Sequence, residues 1–400
     1  MTVGILTFHS QLNYGGVLQC WALQTVLEKM GHKVVVIDRW LSPDNWLLER
    51  GFNQKTFRGW IKFWVRSFCY CGDARLLTRV RRTKRFLARH LHLTPFHFVD
   101  WKDAPQDLGV DVIIVGSDQV WHCGDYGDPR PYLLDGAPPV PAVAYAASFG
   151  FPEFPQRLGE NCGVDKDVHP EEVFRKGLGR FKAVGCRETE GVAICRKLGF
   201  IAAHVVDPVL LAFSAITAPC PFSKGAEKRT LVCYFIGEKL EDHYDTISSF
   251  VQRNGCTAKI FLDYPLRSPM PSSSENCRKW LRGIRQRLAS DIRIMDSAGP
   301  QEFSEAFSSA NWIVSDSFHA LMFAIGHGAN ARIIQPITTA RRQMFARIEE
   351  FAAHAKGRLV SESVKEALKS FEAGDTVEFD RKWIGNRCRE SFDWLKRCLP

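Results

Sequence analysis

The segment Ser315-Asp316-Ser317-Phe318-His319 sets two hydroxyls around a carboxylate and follows them with an imidazole, at a point where an apolar run changes period. Trp312-Ile313-Val314 reads as a short buried strand, and Leu321, Phe323, Ala324 and Ile325 line one face of a helix, so the polar cluster falls on a strand-to-helix turn. Asp316 or Ser317 is expected to cap that helix. His319 then sits in its first turn, where unpaired N–H groups and the helix dipole attract an anion; an imidazole beside a bound phosphate can move a proton. Taken alone, the same residues also fit a capped, hydrogen-bonded histidine with no chemistry.

Other polar loops follow apolar segments in the same way. His9 to Gly16 contains Asn13-Tyr14-Gly15-Gly16, whose paired glycines would let a ligand approach backbone N–H groups, or simply make a tight turn. It is neither a Gly-x-Gly-x-x-Gly fingerprint nor a P-loop. Gly116-Ser117-Asp118-Gln119 offers a carboxylate and an amide, with a helix cap as the plainer reading of Asp118. Arg187-Glu188, after Gly185-Cys186, puts a guanidinium where it can grip a carboxylate or phosphate, or pair with an acid. Asp207-Pro208 ends another strand. Arg341 and Arg342 stand at an expected helix start, where the dipole disfavours cations unless an anion is near.

The elements that must position these loops alternate strand and helix. Val3 to Phe8, Lys33 to Asp38, Asp111 to Val115, Val143 to Ala147, Ala183 to Cys186 and His204 to Val206 read as strands; Val17 to Met30 and Glu171 to Phe181 read as helices. Trp40 to Pro95 is expected to be a basic, aromatic insertion. An irregular stretch from Ala215 to Glu227 suggests a domain boundary, after which strands Thr230 to Ile236, Thr257 to Leu262, Ile292 to Met295 and Ala331 to Ile334 alternate with helices, broken by a loop from Pro265 to Ser274. Helices are expected near Arg342 to Phe351, Val364 to Phe371 and Trp383 to Leu399. The economical architecture is α/β: two Rossmann-like domains, 1–210 and 211–375, facing a cleft, with a C-terminal helix in 376–400. Ligands of such sheets bind beyond the carboxyl ends of the strands.

A chain of 400 residues exceeds one ordinary hydrophobic core, and 45% hydrophobic with 24% charged residues is a globular composition. The start, Met1 to Phe8, reads as a strand and not a signal peptide, and no apolar run is long enough to span a bilayer. Thirteen scattered cysteines without a Cys-x-x-Cys pair suit reduced thiols in the cytoplasm, and no metal site is expected. The net charge of +9 is concentrated: Lys55 to Arg89 holds eleven Lys and Arg against Asp73 alone. Its aromatics, Phe57, Trp60, Phe63, Trp64 and Phe68, interleave with cations, which suits an anionic membrane face or, equally, a helical hairpin packed on the body. No nucleic-acid motif accompanies the patch.

Asn13-Tyr14-Gly15-Gly16-Val17-Leu18-Gln19, Val115-Gly116-Ser117-Asp118-Gln119-Val120-Trp121, Tyr145-Ala146-Ala147-Ser148-Phe149-Gly150, Cys186-Arg187-Glu188, Val206-Asp207-Pro208 and Asp316-Ser317-Phe318-His319 occur in an order and spacing that resembles the polysaccharide pyruvyl transferases. The resemblance implies a GT-B-like fold, phosphoenolpyruvate as donor substrate with no cofactor, and a pyruvate ketal formed on two hydroxyls of a sugar, with phosphate released. It implies His319 as the catalytic histidine and Arg187 as a donor-binding arginine. The chain departs from many members at Ser317, where they carry arginine, and at Ala320, where they carry glycine; Arg341 or Arg342 would take over the donor contact beside Ser317. Asp118 or Asp207 would orient or deprotonate the acceptor hydroxyl, and Asn13, Tyr14, Gly15, Gly16 and Gln119 are expected on the acceptor side. The expected acceptor is a glycan precursor, such as a lipid-linked oligosaccharide at the inner face of the cytoplasmic membrane, with Phe57 to Arg89 touching that face. A nucleotide-sugar glycosyltransferase, or an inactive glycan- or membrane-binding homologue, is the alternative.

Overall fold

A computed structural model describes residues 1–9, 12–40, 75–123, 128–151, 153–154, 169–215, 229–238, 240–262, 283, 286–287, 289–335 and 345–399. The first half of the basic segment, the boundary stretch 216–228, the loop Pro265 to Ser274, and both Arg341 and Arg342 lie outside the described residues.

Two parallel sheets form the framework. The first contains β1 (Thr2–Leu6), β2 (Lys33–Arg39), β3 (Leu93–Phe98), β4 (Val112–Val115), β5 (Ala142–Ala147), β6 (Phe181–Cys186) and β7 (Ala202–His204), in the order β3-β2-β1-β4-β5-β6-β7. The second contains β8 (Thr230–Phe235), β9 (Thr257–Leu262), β10 (Ile292–Ile294), β11 (Trp312–Ser315), β12 (Asn330–Ile334) and β14 (Val360–Ser361), in the order β10-β9-β8-β11-β12-β14. A short antiparallel pair, β13 (Ala355–Lys356) with β15 (Glu378–Phe379), lies outside both. Strands such as Val112-Ile113-Ile114-Val115 are apolar at every position because helices cover both sheet faces, and every residue of that strand is buried. In each sheet the order reverses next to the first strand, between β1 and β4 and between β8 and β11. Those are the switch points where a crevice opens at the carboxyl ends.

The helix α1 (Tyr14–Lys29) follows β1, and Asn13 caps it by accepting from Gly15 N at 2.9 Å. Between β2 and β3 runs α2 (Arg75–His90), the ordinary crossover of a parallel pair. The described part of the expected insertion therefore belongs to the sheet, and β3 was hidden in the sequence by Pro95. Proline is tolerated there because β3 is an edge strand.

The helix α2 also ties the two halves together. Arg79 is 1% exposed; its Nη2 donates to Leu12 O at 2.6 Å and its Nη1 to Leu262 O at 3.1 Å, on the far side. Arg82 donates to Ser297 O, and Arg75 pairs with Asp296. Tyr14 fills the space between them: it stacks on Phe303 at 4.6 Å, donates to Ala298 O, and carries the Arg79 guanidinium over its ring at 4.2 Å. Stacking of this kind contributes about 1 kcal/mol beyond burial. Phe303 belongs to α7 (Pro300–Ser308), and one apolar cluster joins α1, α5 (Pro208–Ala215), α7 and α8 (Phe318–His327). The last helix, α11 (Arg381–Cys398), begins on the second half, where Arg381 donates to Ile325 O and Trp383 stacks on His354 at 4.0 Å. It ends on the first, where Ser391 Oγ accepts from Val206 N at 3.0 Å and Trp394 packs against Gly185.

Candidate active site

The carboxyl ends of β1, β4, β6 and β7 meet the start of α8. Ser317, not Asp316, is the N-cap of that helix: its Oγ accepts from Ala320 N, and Ser317 itself is buried. Asp316 turns the other way and accepts from three consecutive backbone groups after β8, Ile236 N at 2.7 Å, Gly237 N at 2.6 Å and Glu238 N at 3.1 Å. It holds the switch-point loop of the second sheet in place. The hydroxyl of Ser317 is engaged in the helix cap, so as a donor contact it contributes no charge.

His319, in the first turn of α8, crosses to the first half of the molecule. A β-carbon built on Gly15 would stand 2.7 Å from His319 Cγ and 3.0 Å from its Cε1, inside contact distance. At Gly16 the same construction meets Phe8 O at 3.2 Å and Asp118 Oδ2 at 3.3 Å. The glycine pair thus has a different use from the one expected of it. Asn13 Oδ1 already accepts from both backbone N–H groups, and the missing side chains make room for the imidazole and for Asp118.

On its other edge, His319 Nε2 stands 3.8 Å from Asp207 Oδ2. Asp207 uses its two oxygens separately: Oδ1 accepts from Val209 N at 2.9 Å, starting α5, while Oδ2 accepts from Arg187 Nη1 at 3.2 Å. Arg187 is 3% exposed, and its Nη2 has no hydrogen-bond partner among the described residues. Its guanidinium carbon lies 4.8 Å from the Phe318 ring centroid, and that of Arg347 lies at the same distance. Glu188, beside Arg187, accepts from Phe149 N at 2.9 Å and so joins the ends of β5 and β6.

Burial is the largest influence on His319 and lowers its pKa; Asp207 and Asp118 oppose this, and Arg187 and Arg347 reinforce it. With only 12% of its side chain exposed and its pKa lowered, the imidazole is neutral at neutral pH.

His319, Asp118, Asp207 and Arg187 are therefore brought together from three loops of the first sheet and one of the second. Gln119 is buried beside Asp118, its amide against Gly150. Tyr14, expected on the acceptor side, is instead buried between the halves, because its ring completes the aromatic cluster around Phe303. Arg347, on the first turn of α9 (Ala346–Ala353), carried no signal in the sequence, where it fell inside the helix expected near Arg342 to Phe351. Among the described residues no cluster of three or more His, Cys, Asp or Glu side chains is placed to hold a metal ion, and no helix is long and apolar enough to cross a membrane.

The sequence model of the polysaccharide pyruvyl transferases matches residues 13–335. Among curated proteins nothing matches at a significant level. Among solved structures, the UDP-GlcNAc 2-epimerase of Neisseria meningitidis bound to UDP-GlcNAc superposes with a TM-score of 0.51 at 10% identity, covering 100% of this chain and 99% of that one. The S. aureus MnaA–UDP structure gives a TM-score of 0.50 at 10% identity, covering 98% and 91%. At such low identity the likeness is one of fold: two Rossmann-like domains arranged as in the GT-B enzymes.

Proposed function

The chain belongs to the polysaccharide pyruvyl transferase family, and from that premise we propose that it moves the pyruvyl group of phosphoenolpyruvate onto two hydroxyls of a sugar in a glycan or lipid-linked oligosaccharide precursor. The observation that carries the reading is the convergence of His319, Asp207 and Arg187, with Nε2 and Nη1 both directed to Asp207 Oδ2.

The enol phosphate needs a proton at its methylene carbon, and His319 supplies it. The first acceptor hydroxyl adds to the neighbouring carbon and loses its proton to a carboxylate, Asp118 or Asp207. The bond from that carbon to the phosphate oxygen then breaks. The second hydroxyl closes the ketal, and its proton leaves with the phosphate. A dianionic phosphate beside His319 raises the imidazole pKa that burial holds down, so the acid forms when the donor is bound. Arg187 has an Nη2 without a partner among the described residues to offer the donor, and Arg347, against Phe318, is a second cation beside the position where Ser317 replaces an arginine. Arginines and the α8 N-terminus neutralise the leaving group without a metal.

Membrane contact is part of the same reading. Arg81, Arg85 and Arg89 are exposed at four-residue spacing on α2, away from Arg79 and Arg82 that grip the second domain. Such a stripe suits an anionic lipid surface on the cytoplasmic side, where a lipid-linked acceptor would lie.

Purified protein given phosphoenolpyruvate and a panel of sugars should release phosphate only when both are present. His319→Ala and Arg187→Ala should each abolish release while the circular dichroism spectrum is unchanged. Release without acceptor, or near-normal rates in His319→Ala, would overturn the proposal. Thermal protection by a nucleotide sugar and none by phosphoenolpyruvate would favour a glycosyltransferase instead.

A further inference from the structure

Arg39, the last residue of β2, is 5% exposed, yet its Nε and Nη1 have no hydrogen-bond partner among the described residues. The neighbouring acid does not neutralise it. Asp38 Oδ1 accepts from Trp40 Nε1 at 3.0 Å and lies 2.9 Å from His9 Nε2. What Arg39 meets is an aromatic face, with its guanidinium carbon 4.7 Å from the Tyr132 ring centroid. Tyr132 is buried too, and its hydroxyl has no hydrogen bond of full geometry among the described residues, with only the Arg39 guanidinium close enough to bond it weakly. Burial raises the phenol pKa, Arg39 pulls it down and Asp118 pushes it up, so the three groups share one electrostatic neighbourhood. Tyr132 also meets Phe8 edge-on at 5.1 Å, and Phe8 O and Asp118 Oδ2 flank Gly16.

These groups stand at the carboxyl ends of β1, β2 and β4. Arg187 follows β6, and three strands separate β6 from β2 in the sheet. At about 4.8 Å per strand, that puts the two strand axes roughly 19 Å apart. Arg39 is thus not a member of the Arg187 cluster. It lies on the side of Asp118 that faces away from the donor arginine. A buried guanidinium with two N–H positions left without a hydrogen bond among the described residues is unfavourable, and an anion that reaches it removes the penalty.

We propose that Arg39 and Tyr132 form an acceptor-side subsite for an anionic group, a carboxylate or a phosphate, carried by the sugar beside the hydroxyls that receive the pyruvyl group. Arg39 donates to the anion from Nε and Nη1, and Tyr132 donates from its hydroxyl. The assignment of this subsite to the acceptor rests on the transferase reading.

The test compares three probes, methyl glucuronide, glucose 1-phosphate and uncharged methyl glucoside, by thermal shift on wild type, Arg39→Gln, Arg39→Lys and Tyr132→Phe. At least one charged probe should raise the melting temperature of the wild type and, more weakly, of Arg39→Lys, and fail with Arg39→Gln; which one succeeds identifies the carboxylate or the phosphate as the group bound. Methyl glucoside should shift none. Without probe, Arg39→Gln should melt at or above the wild type, because it removes an unpaired buried charge. In turnover with a charged acceptor, Arg39→Gln should raise the acceptor KM roughly 10- to 100-fold and leave the phosphoenolpyruvate KM unchanged. Equal shifts in Arg39→Gln and wild type, or no shift of the wild type by either charged probe, would overturn the subsite. Absence of phosphate release by the wild type with every acceptor would instead remove the transferase reading, since the binding arms do not depend on turnover.

Discussion

Replacing Gly15 by alanine isolates the contact on which the site depends. Alanine is accepted by the backbone there, because Gly15 is the second residue of α1 and its φ is not in the left-handed region. The added β-carbon would stand 2.7 Å from His319 Cγ, against an optimal carbon separation of about 3.5 Å or more, so the imidazole must retreat by about 1 Å. A displacement of that size at a reacting group lowers rate by about 100-fold, or about 2.7 kcal/mol of barrier. Stability moves little. Alanine contributes up to about 1 kcal/mol of helix propensity, and a ring forced off its rotamer costs about as much. The expected result is therefore a kcat for phosphate release near one hundredth of wild type at an almost unchanged melting temperature. Gly385→Ala is the matched control: it lies within α11, where a β-carbon meets nothing within 4 Å, and should leave kcat intact. In a His319→Ala background, Gly15→Ala should become stabilising, since the clash is gone. A Gly15→Ala enzyme with wild-type kcat, or one equally perturbed in both backgrounds, would refute the reasoning.

Asp316→Asn keeps the shape of the clamp after β8 but weakens three charge-assisted bonds; a loss of about 2–3 kcal/mol is expected in urea titration. Arg79→Met leaves Leu12 O and Leu262 O without their shared donor, costing about 1–3 kcal/mol for each carbonyl and exposing the chain to limited proteolysis between the domains. Burial lowers His327 from 6.5 to about 4, and burial followed by Arg387 lowers His204 equally. Depressed folded-state values mean that the unfolded chain takes the proton first, so stability is complete above the ordinary 6.5 and falls as pH drops toward 4. Each histidine should contribute about 2–3 kcal/mol to that fall, and His327→Phe should remove its share when urea midpoints are compared at high and low pH.

The sheets were legible because their strands are short, fully apolar and separated by helices of matching period; Asp111 to Val115 is a clear case. The loops that carry Asp118, Arg187, Asp207 and His319 could be found one at a time, as polar residues after apolar strands. Their position at the carboxyl ends of the strands followed from the alternation, but the contacts between them did not. Gly15 and His319 lie some three hundred positions apart, and no local pattern reports that the absent side chain of one makes space for the other. Tyr14 misled for the same reason: a tyrosine in a polar loop looks like a ligand contact until Phe303 arrives from the other domain to cover it. Arg39 was invisible because a cation at a strand end is ordinary; it stands out only once its neighbours prove to be engaged elsewhere.

The path of α11 has a mechanical consequence. A helix of 18 residues is about 27 Å long and stiff along its axis. Anchored near Ile325 at one end and at Ser391 and Trp394 at the other, it acts as a connecting rod between the domains. Together with the hold of α2 on Leu262 O and Ser297 O, that rod resists a screw-like slide of one domain on the other. Rotation about the rod is thereby coupled to the seat that Gly15 leaves for the imidazole of His319.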